Sequence, residues 1–234
     1  MPTKSIFSFL IACAALPLAG RAHTFEADGK WASWTDGKYT VSNDVWGEHP
    51  GPETVWADAG GAWGVVTTQV GDGIKSYPHI DYGNLAIPVN SLGILTTSFR
   101  VTNPDGCSYD QAYDIWLNGT QYEVMIWNRW AHTNPIARSY NWDGTPNTTY
   151  PNVTIAGVAY DVYTGTGGSG ACMSFLRRSQ VDSGTLDLAA ILKWIQTTKW
   201  YDNPRLTSVQ NGWEIISTGG VRREFRMDSY SVSQ

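Results

Sequence analysis

Two carboxylates, Asp114 and Glu123, stand either side of an Asn118-Gly119 pair in the stretch Tyr113-Asp114-Ile115-Trp116-Leu117-Asn118-Gly119-Thr120-Gln121-Tyr122-Glu123-Val124-Met125-Ile126-Trp127. Asn-Gly between two alternating runs signals a two-residue β-hairpin turn. That turn would set Asp114 directly opposite Glu123, with Cβ atoms about 4.5–5.5 Å apart. One face then carries Asp114, Trp116, Gln121, Glu123, Met125 and Trp127; the other, Tyr113, Ile115, Leu117, Tyr122, Val124 and Ile126, reads as core. Charges on a strand usually belong to a solvated face. Here Met125 and Trp127 flank Glu123, so the face is neither core nor ordinary surface. A carboxyl there is raised in pKa by desolvation and by its partner's charge. Paired carboxyls among aromatic rings suit general acid–base work on a sugar.

A second candidate lies late in the chain, Glu214 in Asn211-Gly212-Trp213-Glu214-Ile215-Ile216. Cleavage of a glycosidic bond usually takes two carboxyl groups flanking it, one of them protonated. Glu214 sits between large apolar neighbours, which invites a raised pKa. A Glu on an edge strand explains the same residue equally well.

Short alternating runs recur at 38–45, 64–70, 94–102, 112–117, 122–127, 154–162, 172–177, 212–217 and 223–232, separated by Gly, Pro, Asn and Asp. This spacing predicts an all-β protein, an antiparallel sandwich or barrel. Thr185–Lys199 breaks the period: Leu188, Ile191, Leu192 and Ile195 fall at helical spacing behind Asp182 and Ser183, which can cap it. One amphipathic helix packed outside a sheet is expected. The long Asn-, Pro- and aromatic-rich stretch from Trp127 to Thr154 reads as a lip over a cleft.

The chain of 234 residues opens with Lys4, an apolar stretch from Ile6 to Leu18, and Gly20-Arg21-Ala22. Residues 1–22 read as a secretory signal peptide, with 23–234 as a single secreted domain. Removing 1–22 takes Lys4 and Arg21 and no acid, leaving a formal charge of −7. Such a chain suits neither nucleic acid nor a membrane as partner. All 12 Trp and 12 Tyr lie in the mature part, more rings than a core alone requires and suited to stacking on sugar faces. Cys107 and Cys172 remain, either paired or two buried thiols. The four His are scattered without zinc-ligand spacing.

Tyr122-Glu123-Val124-Met125-Ile126-Trp127 resembles the nucleophile strand of glycoside hydrolase family 12. Ser42-Asn43-Asp44-Val45-Trp46-Gly47, Ala112-Tyr113-Asp114-Ile115-Trp116 and Gly212-Trp213-Glu214-Ile215 resemble, in the right order, its early substrate-binding strand, its nucleophile-supporting strand and its acid/base strand. The resemblance spans nearly all of 23–234. It implies a jelly-roll sandwich of two twisted antiparallel sheets with one external helix and an open concave cleft. It further implies a monomeric, retaining endo-β-1,4-glucan hydrolase of cellulase type that needs no cofactor or metal. Glu123 would be nucleophile, Glu214 acid/base and Asp114 a hydrogen-bond partner of Glu123. Met125 would touch the reacting sugar, Trp31 and Trp46 would stack on glucose units beside Asp44, and Trp127 is either cleft wall or core.

The chain departs from the family pattern in lacking Cys near 25–31 and 53–57, and in placing Asp44 where relatives often have Asn. Asn134-Pro135-Ile136-Ala137 stands in place of Gly-Pro-Ile-Gly, and the stretch after Glu214 is more basic. These departures bear on substrate preference more than on reaction type. A xyloglucan or mixed-linkage glucan specialist is the rival among enzymes, and a non-catalytic, lectin-like glucan-binding sandwich is the rival outside them.

Overall fold

The computed structural model describes residues 22–59, 61–167 and 170–234; the signal peptide expected over 1–22 lies outside the described residues apart from Ala22. In chain order the strands are β1 (Phe25–Ala27), β2 (Ser33–Asp36), β3 (Tyr39–Ser42), β4 (Glu53–Asp58), β5 (Ala62–Thr67), β6 (His79–Tyr82), β7 (Ile87–Pro88), β8 (Thr96–Thr102), β9 (Ser108–Leu117), β10 (Tyr122–Ala131), β11 (Tyr150–Ile155), β12 (Val158–Gly167), β13 (Gly170–Arg177), β14 (Ser183–Asp187), β15 (Arg205–Ser217) and β16 (Arg223–Ser233), with one α-helix among the described residues, α1 (Leu188–Thr197). They form two sheets, ordered β1-β4-β5-β16-β8-β14 and β11-β12-β13-β10-β9-β15-β6-β3-β2, with β7 joined to β15.

Period-2 alternation decides what lies between the sheets. Tyr113, Ile115 and Leu117 of β9 and Val124 and Ile126 of β10 are fully buried, and so are Val65 and Phe225 of the facing sheet. Burying each such side chain contributes roughly 1.5–3 kcal/mol. Trp213 meets Trp63 edge-on with ring centroids 5.1 Å apart, and its Nε1 donates to Asn103 Oδ1 at 2.7 Å. The large sheet therefore turns its other face, bearing residues 114, 116, 123, 125 and 214, away from the core.

The helix begins later than its periodicity suggested. Thr185 and Leu186 pair with β8 as part of β14, and Asp187 is the cap, accepting from the Ala190 amide at 2.9 Å. Leu188, Ile191, Leu192 and Ile195 are its buried stripe, as the spacing predicts. The run at 154–162 is two strands, not one, because Ala156 and Gly157 both adopt left-handed φ and turn the chain. One ladder is parallel: β10 and β13 run in the same direction, with Glu123 beside Cys172. A parallel neighbour needs a crossover rather than a tight turn, and the stretch from 132 to 167, including the β11–β12 hairpin, supplies most of it. Cys107 and Cys172 are both buried and free.

Candidate active site

The β9–β10 hairpin keeps the predicted faces but not the predicted register. Leu117 pairs with Tyr122 and Trp116 with Glu123, so Asp114 lies opposite Met125 and diagonal to Glu123. The loop is four residues, Asn118–Gln121, closed by the Gln121 amide on the Asn118 carbonyl at 3.4 Å. Asn118 and Gly119 have the left-handed φ values expected of the pair, 51° and 70°. However, Asn118 is held by β15: its amide donates to Arg205 O at 2.8 Å, and its Oδ1 accepts from the Arg205 amide at 2.9 Å. That anchoring, with Gly119 N on Thr207 Oγ1 at 3.0 Å, moves each cross-strand pair by two residues. A shift of two preserves which face each side chain occupies.

β15 runs along the other edge of β9 and places Glu214 opposite Asp110. Glu123 lies opposite Trp116, six residues along β9 from Asp110. On a flat strand six residues span about 20 Å, yet Glu123 and Glu214 line one cleft of about 460 Å³. They share that cleft because the sheet is twisted rather than flat. Gly212 makes part of this possible: a Cβ there would sit 2.1 Å from Pro78 O, so only glycine lets the segment carrying Tyr77 and His79 lie against β15. Trp213 and Ile215, expected to desolvate Glu214, point into the core instead. Glu214 is desolvated by the cleft floor, which pushes it up to about 7; a hydrogen bond from Asp110 pulls it down and the charge of Glu123 raises it further.

Burial also holds Asp114 well above the usual carboxylate range, reinforced by the charges of Glu123, Glu214 and Asp44, while a hydrogen bond with the Tyr77 phenol opposes the shift. Asp44 lines the cleft with a left-handed φ of 46°, and burial raises it to about 6. His79 Nδ1 lies 3.8 Å from Asp44 Oδ2 but hydrogen-bonds Tyr77 O at 2.7 Å. Burial lowers His79 to about 4, so it is neutral at pH 7 and offers Asp44 no counter-charge.

The walls are aromatic and apolar. Met125 and Trp127 are 3% and 2% exposed and pack with Ala112 and Cys172 beneath the cleft, so Trp127 is at once wall and buried. Trp46 is half exposed at one end. Trp31 stands on an exposed turn before β2 and is not among the described residues lining this cleft. Thr133, Asn134 and Ile136 cover it from the stretch read as a lip. Gly165 accommodates that stretch, since a Cβ there would lie 2.5 Å from the Ile136 side chain.

Sequence reasoning missed Asp110, Tyr77 and Gln210. Asp110 was findable, being four residues before Asp114 on the same face of an alternating strand. Gln210, which accepts from Trp116 Nε1 at 2.8 Å, needed the β15 register. Tyr77 comes from a non-strand segment and carries no periodic signal.

A curved β-sandwich whose cleft has a carboxyl floor and aromatic walls is built to handle carbohydrate. The model of glycosyl hydrolase family 12 matches residues 37–234, and the chain belongs to that family. It is 28% identical to a probable xyloglucan-specific endo-β-1,4-glucanase A of Aspergillus flavus, covering 88% of this chain and 89% of that protein. It is 26% identical to the xyloglucan-specific endo-β-1,4-glucanase A of Aspergillus niger, with the same coverage. Among solved structures, the xyloglucanase domain of NopAA, a type three effector from Sinorhizobium fredii, in complex with cellobiose, superposes with a TM-score of 0.87 at 32% identity, covering 91% of this chain and 99% of that one. The endo-1,4-β-glucanase CelB2 gives 0.74 at 25% identity, covering 89% and 98%.

Proposed function

We propose that this protein is a secreted endo-β-1,4-glucanase that cuts the backbone of xyloglucan-type glucans with retention of anomeric configuration. The observation that carries the reading is the convergence of Glu123 and Glu214, from different strands, on one cleft in which Glu214 is raised to about 7. Glu214, protonated at mildly acidic pH, gives its proton to the glycosidic oxygen while Glu123 attacks the anomeric carbon. Glu214 then takes a proton from water, which releases the glycosyl-enzyme. Retention requires the two carboxyls to work about 5–5.5 Å apart, against about 6.5–9.5 Å for inversion.

Asp114 supports Glu123, and Met125 touches the reacting sugar. Trp46 stacks on a glucose ring beside Asp44, which below pH 6 is a neutral donor to a sugar hydroxyl. Trp127 is cleft wall, and Trp31 is an outer platform beyond the cleft. Export removes 1–22. The new first residue, His23, is held on β4, its ring stacked on Trp56 at 4.0 Å and its Nδ1 bonded to Asp58 at 3.0 Å.

Xyloglucan is favoured over unbranched glucan by the names of the relatives above. A cellulase-type preference keeps support from CelB2. Initial rates on tamarind xyloglucan, barley glucan and carboxymethylcellulose, with product anomers followed by NMR, test both. Fastest release of β-anomers from xyloglucan is expected. Faster turnover of carboxymethylcellulose would move the preference, α-anomers would overturn retention, and binding without hydrolysis of any polymer would make the protein a lectin.

A further inference from the structure

We propose that Asp110 is a positioning residue that keeps its own proton and hydrogen-bonds it to Glu214, so that the acid/base works as half of a carboxyl pair. The inference rests on the assignment of Glu214 above and extends it to a residue outside the predicted site.

The geometry is specific. Asp110 on β9 and Glu214 on β15 are directly opposed across an antiparallel ladder, where like charges destabilise. Asp110 is fully buried, whereas Glu214 is only partly so and borders the cleft. Neither oxygen of Asp110 is paired with any side chain that can only donate; what it meets is Glu214, by its backbone amide and by its carboxyl. Two carboxyls can hydrogen-bond only if one is protonated. The asymmetry of burial assigns that proton to Asp110, because the ionised form is less costly at the wetter site.

Among the described residues, the surroundings supply no competing cation. Asp114 on β9 and Glu123 on β10 add negative charge to the pair. The residue opposite Asp110 on β10 is Trp130, and Arg129 beside it is paired with Asp182. From the segment crossing β15, Lys75 Nζ is bonded to the Glu48 and Asp72 carbonyls at 3.0 and 2.8 Å, and Tyr77 is a neutral phenol held far above its usual range by burial. Asp110 is thus the group whose proton moderates the charge on Glu214. When Glu214 has given its proton to the leaving oxygen, the Asp110 O–H donates to the new carboxylate and limits its basicity until water is activated.

The test is the pH dependence of kcat/KM on a soluble β-glucan for the full mature chain and for Asp110→Asn and Asp110→Ala, with melting temperatures alongside. Asp110→Asn keeps a donor of the same shape but a weaker one; Asp110→Ala removes it. The basic limb is expected to move upward in both, by about one pH unit in Asp110→Ala and by less in Asp110→Asn. A uniform fall in activity with unmoved limbs, or a downward move, overturns the proposal and leaves Asp110 a packing residue. Should Asp110→Ala fail to fold, the isosteric Asn variant decides alone. Glu214→Gln separates this inference from the one beneath it: full hydrolysis by that variant removes Glu214 from the mechanism whatever the Asp110 variants do, whereas an inactive Glu214→Gln with unmoved Asp110 limbs rejects only the pair.

Discussion

Asp114 faces Met125 across the β9–β10 ladder, and Glu123 stands one diagonal away. Diagonal neighbours are about 7–8 Å apart, against about 4.5–5.5 Å for an opposed pair. Asp114 is therefore expected to act on Glu123 by charge and by holding a proton nearby. Asp114→Asn, neutral like the protonated acid, is expected to cost roughly tenfold in kcat/KM, equivalent to one pKa unit of interaction. Glu123→Gln should cost about a thousandfold or more. Steady-state rates on one polymer compare the two, and equal losses would remove the supporting role.

Glu214 is the group whose loss of a proton should end activity at high pH. With its value raised to about 7, kcat/KM is expected to fall above pH 7, approaching tenfold per unit. Glu214→Gln should lose about 10²–10⁴-fold on polymer but far less on an aryl cellobioside whose phenol leaves without protonation. A similar loss on both substrates would count against Glu214 as the acid.

Gly212 is a steric requirement of the site. A methyl group 2.1 Å from Pro78 O forces backbone apart beside the strand that carries Glu214. Overpacking of this kind costs about 1–3 kcal/mol, so Gly212→Ala should melt roughly 2–12 °C lower in a domain of this size. An unchanged melting temperature would show that the segment carrying Tyr77 and His79 shifts freely.

Glu53, outside the cleft, ties stability to pH. It is 5% exposed and accepts from Ser76 Oγ at 3.0 Å and Gln69 Nε2 at 3.2 Å, yet burial raises it to about 7. The folded state then keeps a proton that the unfolded chain releases near pH 4.5. Stability consequently falls as pH rises from about 4.5 to about 7 and levels off above that, by about 3 kcal/mol for this group. Glu53→Gln should flatten the decline of melting temperature between pH 5 and 8. A decline as steep as that of the wild type would place the pH dependence elsewhere.

Much of the site was legible because it is written in period two. Alternation in β9 and β10 is enough to put Asp114, Glu123 and Met125 on one surface; Glu214 joined them only through the family resemblance, because its strand's place beside β9 is not written in its own alternation. Register could not be read, because Asn118 answers to Arg205 and Gly119 to Thr207, which lie far along the chain. The short strands β1, β2, β4, β6, β7 and β14 escaped notice for a related reason: two to six residues hold too little pattern, and their partners define them. The helix stripe was plain, but its cap was not, since β8 recruits Ser183–Asp187 into a strand before the helix begins.

β16 ends one residue before the last of the chain, yet it lies in the interior of its sheet, between β5 and β8. β15, which brings Glu214, is likewise flanked by β9 and β6. Neither sheet is continuous without these two strands: a chain lacking β15 and β16 would keep the β9–β10 hairpin but have nothing to set between β5 and β8 or between β9 and β6. The core and the placement of Glu214 are completed together, so trimming that reached β15 and β16 would remove stability and the cleft carboxyl in one step.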